Sequence, residues 1–255
     1  MTASLPQPED TPKKPVQADP GHPLISIILA TYNESENIRA MVGAIFTNLP
    51  DPLEVIVVDD NSPDLTWQIA TELHDPRLKV IRRVKARGLA SAINRGMIES
   101  RGEIIGWMDA DLCHPPALLP SMLEQLQTCD IVIGSRYVPG GRDARDPSRV
   151  WSSWLVNRMA AFVLDYGIQD YDSGFILMHR HVLDAVSLNP SGYGAYFIEF
   201  MHACCRKGFK VVELPYTFTE RIKGVSKSNV NIFQFGLAGF GYIIRILKSR
   251  FRKLD

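Results

Sequence analysis

Apolar, largely β-branched runs alternate along the first half of the chain with stretches of helical spacing. Residues 24–30 (LISIILA) form a short continuous apolar run, the pattern of a strand buried on both faces. Thr31-Tyr32-Asn33-Glu34 interrupts it. Residues 36–48 then place Ile38, Met41, Val42 and Ile45 at the spacing of a helix with one buried face. The unit repeats: 54–58 (EVIVV) predicts a strand, 65–73 a helix, 78–81 a strand, 89–100 a helix and 103–108 a strand. A helix with Pro116 in its first turn and a strand over 130–134 follow. Such alternation predicts an α/β domain on a mostly parallel sheet flanked by helices.

Three of these strands end in polar, acidic residues: Tyr32-Asn33-Glu34, Asp59-Asp60 and Asp109-Ala110-Asp111. In an open α/β sheet ligands bind beyond the carboxyl ends of the strands, so the three ends converge on one crevice. Asp109 and Asp111 carry the most information. Two carboxylates spaced i, i+2 leave a hydrophobic strand together, and an unpaired ionised acid beside a dry core is costly. A divalent cation bound to phosphate oxygens would neutralise both and bring a sugar nucleotide with it. The plainer alternative is an acidic loop capping the helix near Pro115-Pro116. No G-x-G-x-x-G follows the first strand, which disfavours a dinucleotide-binding unit.

Charge and composition narrow the class further. The 255 residues carry 28 Lys+Arg and 28 Asp+Glu, so no global field points to nucleic acid. Cys113, Cys129, Cys204 and Cys205 have neither zinc-site nor disulfide-framework spacing, and a reducing environment is expected. No secretory signal pattern opens the chain, and the expected location is cytoplasmic. Residues 1–23, with Pro6, Pro8, Pro12, Pro15, Pro20 and Pro23 and few large apolar side chains, read as a disordered lead. Residues 24–230 are expected to form the α/β domain and 231–255 an amphipathic helical tail. In that tail the uncharged stretch 232–244 has 13 residues, short of the ~20 that span a bilayer. Ile244, Leu247, Phe251 and Leu254 then share one helical face while Arg245, Lys248 and Arg252 occupy another. This is a helix suited to lie in a membrane interface, or else to pack on the domain.

Seven segments, in order, carry a resemblance. They are Ala30-Thr31-Tyr32-Asn33-Glu34, the 57–64 stretch VVDDNSPD, Arg87-Gly88-Leu89, the 109–116 stretch DADLCHPP, the 134–141 stretch GSRYVPGG, Asp172-Ser173-Gly174-Phe175, and the 221–227 stretch RIKGVSK. Together they resemble the family 2 glycosyltransferases of GT-A (Rossmann-like) fold, and more narrowly the polyprenyl-phosphate (dolichyl-phosphate) mannose synthases.

The resemblance implies a metal-dependent inverting transfer of a hexose, foremost mannose from GDP-mannose, to a polyprenyl monophosphate. It implies nucleotide-sugar contacts from Ala30, Tyr32, Glu34, Val58, Asp60, Ala110 and Arg136. Asp109 is shared between metal and donor, and Asp111 is the firmer ligand of Mg²⁺ or Mn²⁺. Arg149 and Ser153 open the helix on the acceptor side. Arg221 and Lys227, on a Gly-containing loop, close over the diphosphate as part of the catalytic set. Such an enzyme works peripherally on the cytoplasmic face of a membrane, held by the tail or by a partner with transmembrane helices.

Two departures bear on these expectations. Cys113 stands where the family commonly has an oxygen-bearing side chain, and a thiol is a poor partner for Mg²⁺. Either water completes the site or the preference moves towards Mn²⁺. Ala30 stands where proline is usual, a change that leaves a backbone contact intact. Other functions share parts of the pattern: transfer from a UDP-sugar such as UDP-glucose, a soluble glycan acceptor, or a nucleotide-binding module without turnover. A nucleotidyltransferase would want an N-terminal Gly-rich phosphate loop, which is absent.

Overall fold

The structure, a computed structural model, describes residues 23–190 and 195–219. The first half runs β1 (Ile25–Thr31), α1 (Ile38–Asn48), β2 (Leu53–Asp59), α2 (Thr66–Thr71), β3 (Leu78–Arg82), α3 (Leu89–Glu99) and β4 (Ile104–Met108). These are the elements the apolar pattern predicts, with α2 shorter than its run. A 3-10 turn at Pro116–Leu118 leads into α4 (Leu119–Gln125) and β5 (Ile131–Ser135). Then come β6 (Arg142–Asp143), α5 (Pro147–Leu164), β7 (Ile176–His179), α6 (His181–Ala185), α7 (Ala195–Arg206), β8 (Val211–Pro215) and β9 (Thr217–Phe218). Arg221, Lys227, the C-terminal tail and all but the end of the Pro-rich lead lie outside the described residues.

Among the described residues seven strands form one sheet in the order β3-β2-β1-β4-β7-β5-β8, and β6 pairs with β9 beside it. β1 lies parallel to β2 on one side and to β4 on the other. The chain therefore reverses its direction of travel across the sheet at β1, which is where ligands settle in such folds. β7 is the exception to the parallel pattern, antiparallel to both β4 and β5. The connection through β6 and α5 leaves the chain at the carboxyl edge, so β7 enters from that edge and runs back down. Gly106 lets it lie close: a Cβ there would stand 2.5 Å from the Ile176 carbonyl oxygen.

Alternate residues of the buried strands feed two cores. Ile28, Ile105 and Trp107 face α3, α5 and α7. Ile27 and Leu29 face α1 and α4, meeting Ile38, Met41, Ile45, Leu119 and Met122. Trp107 packs edge-on against Phe200, centroids 5.6 Å apart, and against Phe197 at 6.2 Å. Burial on both faces explains why the strand runs read as continuously apolar. It also leaves the strand ends as the place where polar side chains concentrate.

Candidate active site at the carboxyl edge

The ends of β1 and β2 lie side by side because the strands pair through Ala30–Val58 and Thr31–Asp59. Fully buried Asp59 ties them together, accepting hydrogen bonds from Thr31 Oγ1 (2.8 Å), the Ser62 N–H (2.8 Å) and Ser62 Oγ (2.5 Å). Its neighbour Asp60 does different work. One carboxylate oxygen accepts from Arg83 Nε at 2.6 Å and pairs with Arg83 Nη2; the other accepts the Gly88 N–H at 2.8 Å. Arg83 also donates to Ser91 Oγ at 2.9 Å and to the Gly88 carbonyl at 3.0 Å. The Arg87 guanidinium sits 5.0 Å from the centre of the Tyr32 ring. Thus the Tyr32, Asp60 and Arg87-Gly88 segments, separate in sequence, share one rim.

Glu34 is buried beside them and accepts from Asn37 Nδ2 at 3.0 Å, while its own N–H donates to Thr66 Oγ1 at 2.9 Å. Val58 is fully buried and Ala30 half-buried. Sequence reasoning missed Arg83. Its signal was a basic residue just past a strand that neighbours the Asp59-Asp60 strand, at the same carboxyl edge.

Asp109-Ala110-Asp111 leaves β4 beside this rim. Asp109 is half-buried, Ala110 is buried, and Asp111 is 8% exposed. The turn closes through Leu112 at φ 66°, with Asp111 Oδ1 accepting the Cys113 N–H at 3.1 Å. The residues that open the Pro116–Leu118 turn and α4, Pro115 and Leu118, give neither a side-chain cap. Two carboxylates at one strand tip suit a hard cation whose other ligands are phosphate oxygens and water. Among the described residues no three His, Cys, Asp or Glu side chains cluster to hold an ion; Cys113 is buried next to the two acids in the same turn. His114 follows, 1% exposed and stacked on Phe175. Burial pushes it down to about 4, against the opposing pull of Asp111.

Arg136, just beyond β5, lies on the same edge, but its fork already holds a partner. Nε and Nη2 donate to the two oxygens of buried Asp170 at 2.8 and 2.7 Å, and its N–H donates to Asp170 Oδ2 at 2.9 Å. Nη2 also reaches the Asp172 carbonyl at 3.2 Å, and Nη1 stands 3.7 Å from Asp143. The structure thus directs the Arg136 side chain into a buried carboxylate network. Next to it, the Tyr137 hydroxyl donates to Ser153 Oγ at 3.1 Å, bringing α5 against the β5 tip. Half-buried Arg149 lies one turn earlier on α5, whose first turn is capped by Asp146 accepting the Ser148 N–H at 2.9 Å.

Burial raises the Asp172 carboxyl to about 6 despite the nearby Arg136. A carboxyl raised on folding favours the folded state when protonated, so that contribution is lost as pH rises from the ordinary aspartate range through about 6. Asp172→Asn is therefore expected to match the parent protein in stability at pH 4 and exceed it by roughly 1–2 kcal/mol at pH 7.5. Urea unfolding at the two pH values checks this.

Three kinds of likeness to known proteins fit this geometry. Residues 26–187 match the model of glycosyl transferase family 2. A dolichol-phosphate mannosyltransferase of Pyrococcus furiosus is 38% identical over 234 residues, covering 88% of this chain and 64% of that protein. This chain thus spans just under two thirds of that relative's length. A polyprenol monophosphomannose synthase of Mycolicibacterium smegmatis is 37% identical over 88% of this chain and 89% of its own length. An undecaprenyl-phosphate mannosyltransferase of Micrococcus luteus is 35% identical over 83% and 93%. Among solved structures, glucosyl-3-phosphoglycerate synthase of Mycobacterium tuberculosis, in complex with Mn²⁺, UDP and glucosyl-3-phosphoglycerate, superposes with a TM-score of 0.68. That match covers 97% of this chain and 86% of the other at 20% identity, and it speaks for the fold alone.

Proposed function

This chain belongs to glycosyl transferase family 2, and from that premise we propose that it moves mannose from GDP-mannose to a polyprenyl monophosphate. An acceptor phosphate oxygen attacks the anomeric carbon from the face opposite the nucleotide. The bond from that carbon to the donor diphosphate breaks, the configuration inverts, and GDP leaves. The acceptor is already anionic near neutral pH, its second pKa being about 6, so no general base is required. The observation that carries this reading is the convergence of the Tyr32, Asp60 and Asp109–Asp111 segments at the sheet's reversal point, in a chain whose relatives are named as two lipid-phosphate mannosyltransferases and a polyprenol monophosphomannose synthase.

Tyr32 and Arg87 offer a face for the base, and the buried carboxylates Glu34 and Asp60 offer acceptors for ribose hydroxyls or a base N–H. Asp109 and Asp111 would hold Mg²⁺ or Mn²⁺, which when bound neutralises the diphosphate and favours its departure. Arg149 and Ser153 face the acceptor phosphate. Arg221 and Lys227, which lie outside the described residues, would complete the anion clamp, Arg221 as a planar fork and Lys227 as a point charge.

A lipid acceptor calls for a lipid-facing surface, and α5 supports one. Its inner side is held by Ser153 and by Asn157, whose Oδ1 accepts the Tyr171 N–H at 2.6 Å. Its outer side exposes Trp151 (64%), Trp154, Leu155 and Phe162 (87%) at helical spacing. Arg158 shares that face, and a groove of about 480 Å³ runs along it. Trp and Phe beside an Arg suit the bilayer interface. Among the described residues no helix is long and apolar enough to cross a membrane. Replacing Trp151 and Phe162 together by serine is expected to weaken retention on liposomes at least tenfold, in line with about 1.5–3 kcal/mol per large apolar side chain. Turnover of a short, water-soluble polyprenyl phosphate should remain.

The direct test incubates the protein with radiolabelled GDP- and UDP-sugars and polyprenyl phosphate and follows label into organic solvent. Label from GDP-mannose supports the proposal, label from a UDP-sugar reassigns the donor, and no label from any donor removes the lipid acceptor.

A further inference from the structure

Asp109 lies just past the last paired residues of β4, Leu29–Met108 on the β1 side and Trp107–Ile176 on the β7 side. Its N–H has left the ladder, and a backbone donor at such an edge needs a partner. The partner comes from five residues on: His114 Nδ1 accepts the Asp109 N–H at 3.0 Å. Leu112, in the left-handed region at φ 66°, turns the chain so that the imidazole comes back over the strand tip. For a leucine this conformation costs on the order of 1–2 kcal/mol, so the surrounding contacts must hold it.

Aromatic rings hold the imidazole in turn. It stacks on Phe175, centroids 5.1 Å apart at 14°. Tyr216 stands at 5.7 Å and 77°, and Phe218 at 5.5 Å and 57°. Phe175 leads into β7, Tyr216 joins β8 to β9, and Phe218 lies in β9, three residues before Arg221. Because Nδ1 accepts, the proton sits on Nε2, which is buried and directed at the Ser173 backbone. A phenylalanine would fill this aromatic cage as well, so packing alone does not account for a histidine. What only the imidazole supplies is the acceptor nitrogen facing Asp109.

We propose that His114 is a positioning residue for the acidic turn, its Nδ1 fixing the Asp109 backbone so that both carboxylates are set for a divalent cation before the donor arrives. This rests on the proposed function, in which Asp109 and Asp111 hold the cation. His114 touches neither the cation nor the substrate. It acts through the Asp109 N–H, and the aromatic cage ties the turn to β7 and to the β8–β9 segment.

Two variants separate positioning from packing. His114→Phe keeps the stack and removes the acceptor; His114→Asn removes the stack but returns an acceptor oxygen near the Nδ1 position. In the metal-free protein, His114→Phe should speed amide exchange at residues 109–111 at least tenfold, and His114→Asn much less. Manganese affinity in the presence of GDP, read by electron paramagnetic resonance, should fall about tenfold in His114→Phe and recover largely in His114→Asn. In the unsubstituted protein, nitrogen-15 correlation spectra should show His114 protonated on Nε2 alone, a readout that needs no folded variant.

A ring protonated on Nδ1 overturns the proposal. So do exchange and manganese affinity unchanged in His114→Phe, or equal losses in both variants that follow their melting temperatures. Asp111→Ala separates this from the parent reading. If the unsubstituted protein binds manganese no better than Asp111→Ala, the cation site itself fails, while exchange and tautomer still decide whether His114 holds the turn.

Discussion

Asp111→Ala is expected to lower kcat/KM for transfer by on the order of 10³-fold while leaving the fold intact. The two halves of this expectation have separate grounds. In the folded protein the Asp111 side chain accepts the Cys113 N–H at 3.1 Å; losing that bond costs about 1 kcal/mol, which lowers the melting temperature by roughly 2–4 °C in a chain of this size. In the proposed reaction the same carboxylate would hold the cation that balances the departing diphosphate, and removing one such stabilising group costs about 10² to 10³-fold. Circular dichroism melting beside the label-transfer assay reads both. Full activity in this variant would refute the assignment of Asp111, whatever its stability.

The largest loss of stability is expected at Arg136. Arg136→Met keeps much of the side chain's bulk but removes the guanidinium from Asp170, which is fully buried, takes two hydrogen bonds from that side chain and keeps only the backbone one from residue 136. It also removes the nearby positive charge from Asp143, which Arg145 still holds at 2.6 Å. Breaking one partner of a buried pair costs about 3–5 kcal/mol, because the remaining charge is left without compensation. Urea unfolding should show a loss of this size for Arg136→Met, and a clearly smaller one when Asp170→Leu is added, since the stranded carboxylate is then gone. A loss under 0.5 kcal/mol would mean that the guanidinium is free to serve the donor instead.

Most of the first half of this molecule is legible in its sequence because burial there is simple. Strands packed on both faces become unbroken apolar runs such as LISIILA and EVIVV, and polar residues can only follow at the ends. The second half is harder for physical reasons. Residues 176–179 (ILMH) read the same whichever way the strand runs, so nothing local marks β7 as antiparallel. Helix α5 is apolar on its inner side and aromatic on its outer side, so no single amphipathic stripe reveals it. Asp109, Asp111, Tyr32 and Asp60 could be located from the strand ends alone. What each side chain holds could not, since Arg83 reaches Asp60 from 23 residues away and Asp170 meets Arg136 across 34. His114 hides for another reason: inside a Pro-flanked, apolar stretch it looks like core. Only the fold shows that its Nδ1 faces the Asp109 N–H.

The most direct test is crystallographic. Crystals soaked with Mn²⁺ and GDP-mannose, measured at the manganese edge, should show the anomalous peak between Asp109 and Asp111, bridged to the pyrophosphate, with guanine near Tyr32. A manganese peak away from both carboxylates, with the nucleotide bound elsewhere, would contradict the account.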